Sequence, residues 1–324
     1  MNKILAIITA FLAVTLMSMQ NPLMDIVNQV NEKRENRILF ATLGIVDYLH
    51  FQPKDVTDEL SEEIFLDYLK EIDQSKRFLT KHDITLLQKH KFEIDDQIAA
   101  FNFSFFNQAE DLIEAGIQRS HDIYQSVIAG DLAIDELEVL ELDAEKRDYA
   151  ADAVELADLW RKYMKFSVVA KISEIQEQGI LTDSLSELEI REKAQKDVKK
   201  TFDEWFSRMD ELRREDRFDQ YMNTITHQFD PHSEYFSPKG KENFDIQMGN
   251  KLEGIGARLQ KAGDFVKIFS IVPGGPTWKG KDLKVDDVIL SVRQKDERDA
   301  VDITGMRLDD VISMIRGPKG TTVI

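Results

Sequence analysis

The sequence predicts an α+β protein in two parts, a mainly α-helical N-terminal domain followed by a small module of short strands and helices. Three observations carry this. From Ile38 to about Gln228 apolar residues recur at helical spacing, glycines are few, and Pro53 is the only internal breaker. After Phe229 the texture changes, with breaks at Asp230-Pro231, Ser237-Pro238, Gly254-Ile255-Gly256, Gly274-Gly275-Pro276 and Gly317-Pro318. Between those breaks the patterns are short: Ile255, Ala257 and Leu259 alternate as on a strand, and Leu308, Val311, Ile312 and Ile315 form one apolar helical stripe.

The chain has 324 residues, enough for two domains, with a formal net charge of −18 and no cysteine. Such acidity argues against a nucleic-acid surface, which needs concentrated Lys and Arg, and disfavours anionic membranes. The lack of cysteine removes disulfides, thiolate metal sites and cysteine nucleophiles together. At the start, Lys3 precedes an apolar run, Ile4–Met17, interrupted only by Thr9 and Thr15. A short basic start and an apolar run of roughly 7–15 residues read as a signal peptide, placed at 1–20. A permanent anchor needs about 20 apolar residues, so export to the periplasm or cell envelope without a stable membrane anchor is expected. The helical domain is placed at 21–239.

Within it, Ile64, Tyr68 and Ile72 share a face with Phe65 and Leu69 beside them, predicting a helix over Leu60–Ile72 with Glu62, Glu63 and Asp67 outward. Thr80 or Asp83 is the expected cap of the next helix. Phe101, Phe103, Phe105 and Phe106 precede a helix reaching about Ala129, and four aromatics so placed predict a core anchor. The acidic stretch Asp131–Asp158 lacks calcium-loop spacing and reads as a solvated loop and helix face. Leu156, Leu159, Trp160, Tyr163 and Phe166 form the next stripe, and Phe202, Trp205, Phe206, Met209 and Leu212 the core face of a long charged helix pair. Phe218, Tyr221, Met222 and Ile225 carry the last helix to Asp230, where Pro231 ends it.

Several residues invite chemistry and are set aside. His227 and His232 flank Asp230, but Pro231 breaks any helix between them, so Asp230 is expected to hydrogen-bond the turn. Gly317-Pro318-Lys319-Gly320 lacks the glycine spacing of a phosphate loop and reads as a turn. No partner base can be paired with Ser237 or Ser270. No catalytic residue, metal site or cofactor is assigned.

The module, placed at 240–324, carries the functional signal. Gly254-Ile255-Gly256 lets backbone N–H groups converge without side chains in the way, which suits a carboxylate. The strand beyond it can accept an added peptide strand. Asp286-Asp287 reads as a turn into a buried strand, Val288–Val292, and Thr321–Ile324 as the beginning of another. Phe229-Asp230-Pro231-His232, Ser237-Pro238, Leu252–Ala257, Pro273–Pro276, Leu308–Val311 and Gly317–Gly320 together resemble, in order, the tail-specific (carboxy-terminal processing) proteases of the Prc type, peptidase family S41. The resemblance covers roughly residues 229–324. It implies a PDZ domain whose groove takes the C-terminal tails of protein substrates, using Lys251, Leu252, Gly254, Ile255, Gly256, Ala257, Leu259, Leu308, Val311, Ile312 and Ile315. It also implies a Ser/Lys dyad in a protease core beyond Ile324, so residues 1–324 alone are expected to be inactive. The alternative is a non-enzymatic PDZ-type adaptor on a helical scaffold.

Overall fold

A computed structural model of the chain describes residues 22–52, 54–177, 185–249, 254–316 and 320–324. The proposed signal peptide, Pro53, Lys251, Leu252 and Gly317-Pro318-Lys319 lie outside the described residues. The chain divides into two compact units, the first reaching Tyr235 and the second running Phe236–Ile324.

The first unit is helical: α1 (Pro22–Leu49), α2 (Asp58–Ile72), α3 (Lys81–Leu87), α4 (Ile94–Ala99), α5 (Ser104–Ile128), α6 (Ala153–Glu177), α7 (Glu187–Asp210) and α8 (Arg214–His227). Helix α2 forms where its stripe predicts, capped by Thr57, and buries Leu60, Ile64, Phe65, Tyr68 and Leu69. Both candidate caps of α3 act at once: Thr80 and Asp83 close a capping box, each satisfying an N–H of the other. Helices α5, α6 and α7 pack in succession, and α8 packs on α1, α2 and α5. The packing is aromatic. Phe103, Phe105, Phe106, Tyr68 and Tyr221 cluster at one end, and Tyr124, Trp160, Phe202, Trp205 and Phe206 at the other. Full burial of one such ring is worth several kcal/mol, on the order of 3–5 when truncated to alanine.

Three expectations are corrected. Phe101 is not a core anchor: it takes a left-handed turn at φ 53° and lies exposed against Phe40. Phe166 and Leu212 end their stripes partly in solvent. The acidic stretch is more than a solvated face. Glu138 is held by Arg161 and Lys165 of α6, whose hydrogen bonds draw its carboxyl down to about 2, and Asp135 pairs with Arg191 of α7.

A polar seam crosses the α1–α5–α8 junction. Arg214 grips Glu35 through two bonds of 2.9 and 2.8 Å and donates to Asn107. Beside it, Glu110 accepts from Tyr68 at 3.3 Å and faces Arg217 at 3.4 Å. Burial pushes the Glu110 carboxyl up to about 7, against the pull of Arg217.

The second unit opens with α9 (Pro238–Gly249), a helix the sequence reading missed. Strands β1 (Ala257–Ala262), β2 (Phe265–Ile271) and β3 (Val288–Ile289) form one antiparallel sheet in that order. Strands β4 (Ser291–Val292) and β5 (Val301–Asp302) pair separately. Between β2 and β3 lies α10 (Pro276–Gly280), and α11 (Leu308–Ile315) follows β5. The predicted buried strand at 288–292 is in fact split in two and half exposed, with Val288 and Leu290 in solvent. At the chain's end, Arg293 and Ile324 exchange both backbone bonds at 2.8 Å, so the strand-like reading of Thr321–Ile324 has a partner. The core of the unit is Val266, Val292, Ile303, Val311 and Ile315.

Candidate peptide groove

The sheet order leaves β1 bonded to β2 on one side only among the described residues, so its other side is an open edge. Helix α11 packs along β1. A strand edge and a helix facing each other make a slot into which an extended chain fits as an added strand.

The loop that closes this slot is built around Gly256. Both Gly254 (φ 141°) and Gly256 (φ 75°) have positive φ, which side chains disfavour. A Cβ on Gly256 would also lie 2.9 Å from Pro276 Cδ and 3.1 Å from Gly275 Cα. Gly256 and Gly275 therefore meet backbone to backbone, and Pro276, at the first turn of α10, is the wall.

Two carbonyls of the loop are pinned from behind. Thr277 donates to Ile255 O through its amide at 2.9 Å and its hydroxyl at 2.7 Å, and Val272 N donates to Gly256 O at 2.8 Å. In a trans peptide the N–H points opposite to the C=O of the same plane. Pinning Ile255 O and Gly256 O thus turns the N–H groups of Gly256 and Ala257 away from α10 and β2. The Ile255 and Gly256 amides donate to no acceptor among the described residues. The loop is an arrangement of donors suited to an anion.

The apolar side is less uniform than the stripe suggests. Ile255, Leu259 and Leu308 pack half-buried against the core, whereas Val311 and Ile315 are core residues themselves. Ile312 is half-buried and stands outside that cluster, which makes it the residue of α11 with surface left to offer. Sequence reasoning missed Thr277, whose role shows only once α10 brings it under the loop. It also missed Arg316, whose Cγ lies 3.9 Å from where a Cβ on Gly254 would be. Asp230, as expected, accepts from the His232 amide and ring at 3.2 Å, and no metal-ligand cluster occurs among the described residues.

A strand edge, a facing helix and a glycine loop of inward-turned carbonyls define a module of the PDZ class, and residues 243–324 match the PDZ domain family. Residues 44–239 match the tail-specific protease N-terminal domain, and the chain belongs to the tail-specific protease family. It is similar to the tail-specific protease of Haemophilus influenzae, 27% identical over 85% of this chain and 38% of that protein. The carboxy-terminal processing protease CtpA of Bacillus subtilis is 32% identical over 29% of this chain and 19% of its own length. The chain thus spans well under half of these relatives. A crystal structure of the PDZ domain of a carboxy-terminal protease from Vibrio cholerae in complex with peptide is 51% identical, covering 22% of this chain and 72% of that one with a TM-score of 0.22. No helix among the described residues is long and apolar enough to cross a membrane.

Proposed function

We propose that this chain recruits protein substrates for a carboxy-terminal processing serine protease by holding their free C-terminal tails. The carboxylate sits against the Gly256 and Ala257 amides, the tail pairs with the open edge of β1, and the last side chain meets Ile255, Leu308 and Ile312. The observation that carries this reading is the pinning of Ile255 O and Gly256 O by Thr277 and Val272, which turns the intervening amides outward. Arg316, whose side chain lies beside Gly254, adds positive charge near the loop. Hydrolysis is assigned to the Ser/Lys dyad of the family's protease core, and no residue of 1–324 is given a catalytic role. The run after Lys3 directs the protein to the periplasm or cell envelope.

Matched fluorescent peptides ending in carboxylate or carboxamide test the proposal by anisotropy. Loss of charge-assisted bonds should weaken the amide peptide by at least about tenfold. Equal affinities would show that the loop is not a carboxylate site.

A further inference from the structure

The two faces of β1 differ in kind. Ala257, Leu259 and Lys261 are half-buried, and Leu259 packs against the core that Val311 and Ile315 of α11 help to build. Arg258, Gln260 and Ala262 alternate with them and are exposed. The one irregularity of the β1–β2 ladder falls on β2, where Phe269 is the extra residue between the pairs Arg258–Ser270 and Leu259–Ile268. The alternation along β1 is therefore unbroken.

The outward face is basic, and one of its charges is unanswered. The Arg258 side chain makes no hydrogen bond or ion pair among the described residues. Across the ladder it faces Ser270, and the next pair along is Gln260 with Lys267. Lys267 has a partner of its own, Asp286 at 3.3 Å. Neither β1 nor β2 carries a carboxylate side chain, although the whole chain has a net charge of −18.

A bound tail fixes what meets Arg258, and this step rests on the tail-binding reading above. A tail whose carboxylate lies at the Gly256 and Ala257 amides, at the start of β1, and which pairs along the edge must run antiparallel to β1. Its last residue then stands opposite Ala257, the penultimate opposite Arg258, the third from last opposite Leu259 and the fourth opposite Gln260. Residues opposite each other in a ladder share a face, with Cβ atoms about 4.5–5.5 Å apart. The last and third side chains thus turn toward α11, and the penultimate one stands outward beside the Arg258 guanidinium.

We propose that Arg258 makes the groove select tails with an acidic penultimate residue. An exposed cross-strand pair of opposite charges contributes modestly, so the preference should be about two- to fivefold in affinity. It adjusts the choice among tails that the carboxylate loop already holds.

Labelled peptides ending in leucine with a free carboxylate, identical except for Glu, Gln or Lys at the penultimate position, are titrated into the full chain by anisotropy. Glu should bind about two- to fivefold tighter than Gln, Gln tighter than Lys, and the differences should shrink as salt rises. The chain's net charge of −18 disfavours the more acidic peptide overall, so such a gain is local. Moving the Glu to the fourth position from the end, opposite Gln260, should lose most of it. Arg258→Glu should invert the order, leaving Lys tightest. Equal affinities for Glu and Gln, an equal gain at the fourth position, or an unchanged order in Arg258→Glu overturns the proposal. Carboxamide versions of the same peptides separate the two readings. Tails that need their carboxylate but ignore the penultimate residue refute the role of Arg258 alone, whereas indifference to the carboxylate refutes the tail-binding reading and this inference with it.

Discussion

Replacing Glu110 with glutamine pits two forces against each other. Burial raises this carboxyl from 4.5 to about 7, while Arg217 at 3.4 Å pulls it the other way. Desolvation is the larger cause, so ionised Glu110 is a net burden on the folded state. Because the folded value lies above the unfolded one, the favourable contribution is complete below pH 4.5 and lost as pH rises to about 7. At about 1.4 kcal/mol per pH unit, that interval amounts to about 3 kcal/mol. Glu110→Gln mimics the protonated form, leaving a neutral acceptor for Tyr68. Urea unfolding in a Trp278→Phe background, followed by the fluorescence of Trp160 and Trp205, isolates the helical unit. The variant should be more stable than the parent at pH 8, by up to about 3 kcal/mol, and the two should converge near pH 4.5. A variant less stable at pH 8 would mean that the Arg217 attraction outweighs desolvation, refuting the reasoning.

Other predictions concern the groove and the start of the chain. Gly256→Ala forces a side chain into a left-handed position and against Pro276, and should cost about 1–3 kcal/mol in urea unfolding together with most peptide affinity. Ile312→Asp should remove the preference for apolar tails in anisotropy while leaving the unfolding midpoint nearly unchanged. Val311→Ala should do the reverse, costing about 2 kcal/mol of stability because Val311 is a core residue. Fractionation of expressing cells should find the protein outside the cytoplasm and shortened by about the length of the proposed signal segment; a full-length cytoplasmic product would contradict export.

Much of the helical unit was legible because its periodicity is strong. Ile64, Tyr68 and Phe65 could face nowhere but a core, and Thr80 with Asp83 announces a helix start. What escaped notice depends on contacts distant in sequence. Phe101 looks like its aromatic neighbours, but a positive φ throws it outward. Helix α9 was missed because Gly240 and a weakly patterned surface hide it. Strand β2 was unclaimed because its buried face, Val266 and Ile268, is only two residues long and Lys267 sits between them. The glycine loop was found, since few other residues tolerate its backbone. Its support from Thr277, twenty-two residues after Ile255, was not. The helical stripe of α11 marked the right face but could not separate the core residues Val311 and Ile315 from the half-exposed Ile312.

The central claim is that a substrate's terminal carboxylate meets the amides of the glycine loop. Backbone amide spectra of the labelled chain, recorded with and without a peptide bearing a free carboxylate, test this at the atoms concerned. The Gly256 and Ala257 resonances should move furthest, downfield as charge-assisted hydrogen bonds form, with Leu259 and Ile312 following and the carboxamide peptide leaving the first two in place. Shifts that spare Gly256 and Ala257, or that are the same for both peptides, would contradict the account.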